Sequence, residues 1–532
     1  MGSHDRFSID RRTVLQGAVS LAALSIAGTA SRPAFAAGGG TLTLCYSYET
    51  PALVSLASTA VYGSAKVTEG LLWLDHEMNA HPQLATEWTV SPDGLTYTFK
   101  LRENVRWHDG KDFTADDVVF SLLTLKEVHP RGRSTFGQLV SATATGPLSV
   151  VMEFNSPVPY LIKALTAWES PIVPKHLYAG TNPATNRYNN APIGTGPFRF
   201  TEREVGSYAI FDRNEDYWDK SAPHLDRIIV KFIPEAGGRS VALESGDVDI
   251  VNRTAVELAD IERLKALPHL NVTSEGYEGN QNVLTLFFNL DNPRFQDIRV
   301  RQAIAHAVNR DAVAAIIYYG LYEPFASPIG TKLKDFHDAS PSPYPFDVAK
   351  AEALLDEAGL PRGTDGKRFK LVYDASPLIE QADRFAEFMR ASLTKIGIDV
   401  QVRTQDVSSY TKRIYTDRDF EMSGMTFSNL IDPTVGVQRI YWSKNFKPGV
   451  PFSNGMNYKN NRVDELLEAA ASEPDLEKRK TYFAEFQKII MEEVPGIPLG
   501  AQQWLTIFNR RVADHSVSSD GIEGNLAEAR IN

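Results

Sequence analysis

Leu95-Thr96-Tyr97-Thr98-Phe99-Lys100-Leu101-Arg102, then Val105-Arg106-Trp107-His108-Asp109-Gly110 and Phe113-Thr114-Ala115-Asp116-Asp117-Val118, decides how this chain is read. Leu95, Tyr97, Phe99 and Leu101 alternate with more polar residues, the period of a half-buried strand, and Ser91-Pro92-Asp93-Gly94 is the turn that starts it. Upstream, Leu42, Leu44, Tyr46 and Tyr48 show the same alternation over Thr41 to Tyr48, ended by Glu49-Thr50-Pro51. Downstream, Arg227 to Ile233 is more continuously apolar and is expected to be buried on both faces. Helical spacing follows: Asp347 caps a segment with Ala351, Leu354, Leu355 and Ala358 on one face, stopped by Gly359. Asp475 opens another with Phe483, Phe486 and Ile490 aligned, ended before Pro495. Proline-rich stretches at 340–345 and 495–498 read as connectors. Strands and helices interleave, so the class is α/β.

The 532 residues favour two to four domains. A formal net charge of −11 argues against nucleic acid, whose phosphates need clustered Lys and Arg. Arg11-Arg12 precedes an uncharged run from Ala18 to Ala30, and Ala34-Phe35-Ala36 offers a cleavage site, so residues 1–36 read as an export signal of twin-arginine type. No other run is apolar and long enough to span a bilayer. Cys45 is the single cysteine, which forbids an intrachain disulfide, and Leu44 before it is too large for a lipidation signal.

Catalysis finds no foothold in these residues. There is no His-Glu-x-x-His, no paired Cys-x-x-Cys and no clustered His, so neither a metal nor a cofactor is expected. Gly194-Thr195-Gly196 lacks the ending of a phosphate loop and reads as a tight turn. Gly-x-Ser-x-Gly does not occur. Asp247 and Asp249 in Gly246-Asp247-Val248-Asp249 read as a solvated strand end.

Four segments in order carry a resemblance. They are Glu69-Gly70-Leu71-Leu72 with Pro82 to Trp88 and the quoted 93–118 stretch; Pro192 to Phe198 with Asn214 to Trp218; Phe288-Asn289 with Phe295, Asp297 and Arg299 to Ile304; and Asn454 to Tyr458 with Val463 to Leu466. Together they resemble the family 5 extracellular solute-binding proteins of ABC importers, the peptide, opine and nickel group. The resemblance implies a two-lobed periplasmic binding protein fold with an additional domain on the discontinuous lobe. Lobe I would comprise 37–70, 192–282 and 500–532, the extra domain 71–191, and lobe II 283–499. It also implies that Trp107-His108-Asp109-Gly110 is a packed turn remote from the ligand, and that Arg299 and Arg301 hold a helix start. Function would be capture of a small polar organic solute by hinge closure, in a Gram-negative periplasm and without lipid anchorage. The partners implied are that small-molecule ligand, an inner-membrane ABC permease and the twin-arginine translocase during export, with a monomer expected. A secreted enzyme with an unrecognised site and a chemoreceptor-docking sensor are the alternatives.

The ligand would lie beyond the carboxyl ends of strands, near Tyr46 and Tyr48 and the first lobe crossing at Tyr277, Asn280 and Asn282. In peptide-binding relatives an Asp four residues before an acidic-Pro pair holds the ligand's ammonium. Here the pair is Asp432-Pro433 and the matching residue is Asn429, which supplies no charge; Asp432 or Glu49 could substitute. Arg413, Phe427, Ser428, Arg439 and Trp442 complete the candidate set, the arginines suiting a carboxylate and the aromatic faces a sugar ring or apolar chain. The change at Asn429 favours an opine or sugar–amino acid conjugate over a short peptide.

Overall fold

The computed structural model describes residues 39–59, 62–340 and 342–532; the export signal read at 1–36 lies outside the described residues. Two large sheets organise the chain into two lobes. The first has seven strands in the order Leu270–Thr273, Thr506–Asn509, Ile250–Val251, Thr41–Tyr46, Arg227–Phe232, Tyr208–Arg213 and Phe198–Glu204. The second has six, Tyr322–Pro324, Gly496–Gln502, Asn282–Phe288, Met422–Ser428, Phe369–Asp374 and Ile398–Arg403. Strand membership passes from the first sheet to the second between 273 and 282, and back between 502 and 506. Those two stretches are the crossings.

A third sheet of four antiparallel strands, Ala85–Val90, Thr96–Leu101, Ser149–Phe154 and Leu139–Gly146, forms the additional layer. Tyr97, Phe99 and Leu101 are buried as their alternation requires. The helix Ala115–Val128 packs on this sheet, and its start explains much of the quoted motif. Asp117 accepts from the Thr114 backbone N–H at 3.0 Å, from Trp107 Nε1 at 3.3 Å and from Lys175 N at 2.9 Å. His108 accepts from Gly194 N through Nδ1 and donates from Nε2 to the Gly196 carbonyl at 2.9 Å. Burial pushes its pKa down to about 4, which keeps the ring neutral for both bonds. Glu69 is buried and held by Tyr217 OH at 2.9 Å and Trp218 Nε1 at 3.1 Å, tying the first motif to the second. These residues are scaffold.

Both expected helices form. Asp347 accepts from Lys350 N at 2.9 Å to cap Val348–Glu357, and Asp475 accepts from Lys478 N at 3.0 Å to cap Leu476–Glu493. Four readings change, one being the 495–498 connector, most of which belongs to the central strand Gly496–Gln502. Arg227–Phe232 is not buried on both faces: Ile228, Val230 and Phe232 point into the core, but Ile229 and Lys231 are only half-buried. The helix Ala236–Ser245 packs under Cys45 and Val251 and leaves that neighbouring strand partly uncovered. Gly194 and Gly196 are dictated by close approach, since a Cβ would meet the Val67 carbonyl oxygen at 1.8 and 2.8 Å. Asp249 is no solvated strand end; it is buried, accepts from Thr43 N at 2.9 Å and pairs with Arg511 at 2.7 Å. Arg299 pairs locally with the capping Asp297, and Arg301 donates to the Phe295 carbonyl just ahead of the same helix as well as to the Glu493 and Val494 carbonyls at the end of another.

Candidate functional site

Parallel pairing decides where the first lobe presents its side chains. Tyr46 sits opposite Phe232 and Cys45 opposite Val251, so these strands finish at one edge. Thr506 and Thr273 are paired at that same edge, which is where both crossings leave the sheet. Tyr46, Tyr48, Arg253, Tyr277, Asn280 and Trp504 are thereby gathered from segments far apart in the chain. The Tyr277 ring meets the Trp504 ring edge-on at 5.7 Å, and the Arg253 guanidinium lies 5.0 Å over Trp504. Tyr277 OH shares a 2.6 Å bond with Thr506 Oγ1 and accepts from Arg253 N at 2.8 Å. Arg253 pairs with Glu523 at 2.6 Å.

Behind this cluster runs a crevice lined by Trp168, Arg253, Tyr277, Asn280, Trp504 and the segment Ser519, Asp520 and Glu523. Its free volume of about 10 Å³ admits one water-sized group. Trp168 Nε1, Arg253 Nε, Asn280 Oδ1 and Ser519 Oγ are buried there without a hydrogen-bond partner among the described residues, as is Tyr46 OH nearby. Each such group costs about 1–3 kcal/mol if nothing answers it. The half-buried Asp520 side chain receives no hydrogen bond from the described residues. Burial, with the Glu523 and Glu169 carboxylates adding to it, pushes its pKa up to about 7.

The second lobe's wall is the edge where Asn282 pairs with Ser428. Ser428 Oγ donates to Asn282 Oδ1 at 2.6 Å. Asn429 is buried; its Oδ1 accepts from Gly330 N and its Nδ2 faces the Pro328 carbonyl at 3.5 Å. Asp432 is matched by Arg479 at 2.8 Å, both side chains 5% exposed. Glu49, on the other lobe, is taken by Arg203 and by Gly206 N at 2.6 Å. None of these three offers a free acceptor. Leu430 and Val435 insert into the apolar cluster of the additional layer, so the lobes touch here. Leu430 holds φ at 55°, a left-handed conformation uncommon for Leu and costing roughly 1–3 kcal/mol.

Arg439 stands differently. Its Nε donates to the Gly436 carbonyl at 3.1 Å, and neither Nη donates to an acceptor among the described residues. Its guanidinium is close enough to feel Tyr415 and Arg131, the latter across the gap. Arg131 is already held fork-to-fork by Glu169 at 2.7 and 2.6 Å.

Of the residues singled out from sequence, Tyr46, Tyr48, Tyr277 and Asn280 come together on the first lobe, and Asn282, Ser428, Asn429 and Arg439 lie along the second. Three sit elsewhere. Arg413 pairs with Asp419 and Gln405, Phe427 packs in the apolar core against Phe287, and Trp442 Nε1 donates to Glu468 at 2.8 Å on an exposed helix. Arg253, Trp504, Trp168 and the 519–523 segment were missed. No local pattern marks them; only the strand order brings them in.

The family model of the bacterial extracellular solute-binding proteins, family 5 (middle region), matches residues 79–448. The chain is 27% identical over 479 residues to heme-binding protein A of Haemophilus influenzae, covering 83% of this chain and 82% of that protein. Among solved structures it is similar to the periplasmic binding protein DppA from Helicobacter pylori in complex with the peptide STSA, with TM-score 0.77, 26% identity and 93% and 98% of the two chains covered. It is also similar to AgaA of Agrobacterium tumefaciens in complex with agropinic acid, with TM-score 0.75, 25% identity and 93% and 99% covered.

Proposed function

Because the chain belongs to the family 5 bacterial extracellular solute-binding proteins, the capture components of ABC importers, we propose that its cargo is a small polar carboxylate of the opine or sugar–amino acid type, ahead of short peptides. One observation carries this reading. The position where peptide-binding relatives present a charge is here a buried amide already bonded to Gly330 N, and both nearby substitutes, Asp432 and Glu49, are consumed by arginines. A peptide ammonium lodged there would lack a counter-ion, at a cost of several kcal/mol. Arg439, with its Nη groups free, suits a carboxylate.

In this reading the open protein has a wet gap, contacts to both walls favour the closed state, and no covalent bond changes. A permease of the inner membrane then receives the closed form. Export by the twin-arginine route, a monomeric state and freedom from a lipid anchor belong to the same proposal. Supporting the last, Cys45 is wholly buried mid-strand, where burial pushes its thiol pKa up to about 11.

A thermal-shift panel tests the ligand class. A ligand at 1,000 times its Kd adds about 4 kcal/mol of apparent stability, so opines and sugar–amino acid conjugates should raise Tm more than dipeptides do. Strong stabilisation by generic dipeptides alone defeats the proposal.

A further inference from the structure

Resting on the reading that the two lobes close about the crossings, we infer that His76, with a proton on both ring nitrogens, pins the first crossing to the additional layer and the C-terminal segment, and that losing one proton releases it. The geometry asks for the charged ring. His76 Nδ1 lies 3.1 Å from Glu278 Oε2, and Nε2 lies 2.9 Å from the Ser516 carbonyl oxygen. Both partners are acceptors. A neutral imidazole carries a single N–H, so only the imidazolium answers both.

The three partners come from three parts of the fold. His76 sits at the turn of the hairpin Leu72–Leu74 and Ala80–Pro82, Glu278 in the crossing, and Ser516 in the C-terminal segment. The crossing lies tight on that segment: Gly276 has φ at 85°, and a Cβ there would stand 2.4 Å from both Gly521 Cα and Ser516 Oγ. Gly276 N also donates to Glu278 Oε2 at 3.1 Å, so the turn itself aims the carboxylate at the ring. Leu72 of the hairpin belongs to the apolar cluster that receives Leu430 and Val435 from the second lobe. The pin is therefore made in the arrangement in which the lobes touch, and bending of the crossing carries Glu278 off the ring.

Carboxylates flank the pin. Glu278 and Glu275 face the ring from the crossing, Asp75 and Glu77 adjoin it on the hairpin, and Asp520 on the C-terminal segment bears on Glu278. Asp75 is already taken by His81 at 2.8 Å. His515, next to Ser516, is buried; burial pushes its pKa down to about 4 and keeps it neutral. Burial also works against the charge on His76. The bonds to Glu278 and Ser516 and the two glutamate charges outweigh it and raise the pKa above the usual 6.5. The pin is thus complete below pH 6.5 and is lost as pH rises through the raised value.

Hydrogen exchange of the crossing's amides at 275–281, compared between wild type and His76→Leu at matched pH, tests the pin on the full chain without solute. At pH 6 wild type should exchange about threefold more slowly, the modest scale of a half-buried ion pair, and at pH 9 the two should agree. Glu278→Gln should behave as His76→Leu does. By NMR the His76 ring should titrate above 6.5 in wild type and lower in Glu278→Gln. Equal exchange at pH 6, or a wild-type His76 pKa at or below 6.5, overturns the inference. Spin labels on Val205→Cys and Val450→Cys, one exposed site on each lobe, read the lobe separation, the buried Cys45 being out of reach of the label. The population with separated lobes should grow about threefold from pH 6 to pH 9 in wild type and stay level in His76→Leu. A pH response that survives His76→Leu overturns the pin's hold on the lobes. A single separation at every pH and in every variant counts instead against hinge closure, and exchange alone then judges the pin.

Discussion

The two walls of the gap are finished to different degrees. On the second lobe, Asn429, Asp432, Asn282 and Ser428 have spent their hydrogen bonds on the protein itself. On the first, Tyr46 OH, Trp168 Nε1, Arg253 Nε, Asn280 Oδ1 and Ser519 Oγ are buried and waiting. Native proteins leave few buried polar groups unanswered, so a cluster of them marks a network that something else completes. The contrast holds for the two facing walls and not for the whole lobes, since deeper in the second lobe Arg310 Nη2, Tyr322 OH and Asn457 Oδ1 are also unpartnered among the described residues.

Breaking the finished side should cost most. Arg479→Met leaves Asp432 buried without its partner and should destabilise the fold by about 3–5 kcal/mol in denaturant titration, whereas Asp432→Asn combined with Arg479→Met should lose much less. Leu430→Asp comes next: a charge placed in the additional layer's core should keep the lobes apart, seen as a larger radius of gyration in solution scattering with saturating solute.

On the unfinished side, Gly279 lines the crevice, and Gly279→Leu would fill it and should reduce solute binding by more than tenfold while Tm of the free protein barely moves, because φ at this position is ordinary. Asp520→Asn should raise the Tm of the free protein at pH 8 and change it little at pH 4. The sign follows from the raised pKa: the folded carboxyl keeps its proton up to about 7, the unfolded one releases it near 3.8, so wild-type stability drains away as pH rises through that window. The smallest contrast sharpens the comparison best. Tyr46→Phe removes an unanswered hydroxyl and should leave stability unchanged or raise it by about 1 kcal/mol, while Ser428→Ala, which deletes a donor to Asn282, should lower it by about 1 kcal/mol.

How much of this was legible in the sequence depends on range. Strand alternation at 95–101 and the caps at Asp347 and Asp475 are local signals, and they hold because neighbouring residues alone satisfy them. Tyr277 and Asn280 were reachable because the first crossing follows a strand end. Asp520 and Arg253 were not, since their approach depends on Thr506–Asn509 pairing with Ile250–Val251, a register between residues more than 250 apart that no periodicity encodes. Asp249 shows the converse: an aspartate at a strand end looks solvated until Arg511 arrives from the far end of the chain.

Tyr277 and Trp504 carry one further consequence. They belong to different linkers, yet ring contact and the shared anchorage at Thr506 and Arg253 fasten those linkers side by side. Two cords knotted together cannot bend independently, so the jaw swings about a single axle, and twisting or sliding of one half past the other is suppressed. In the proposed cycle, cargoes of different shape would then yield one closed outline for a permease to meet.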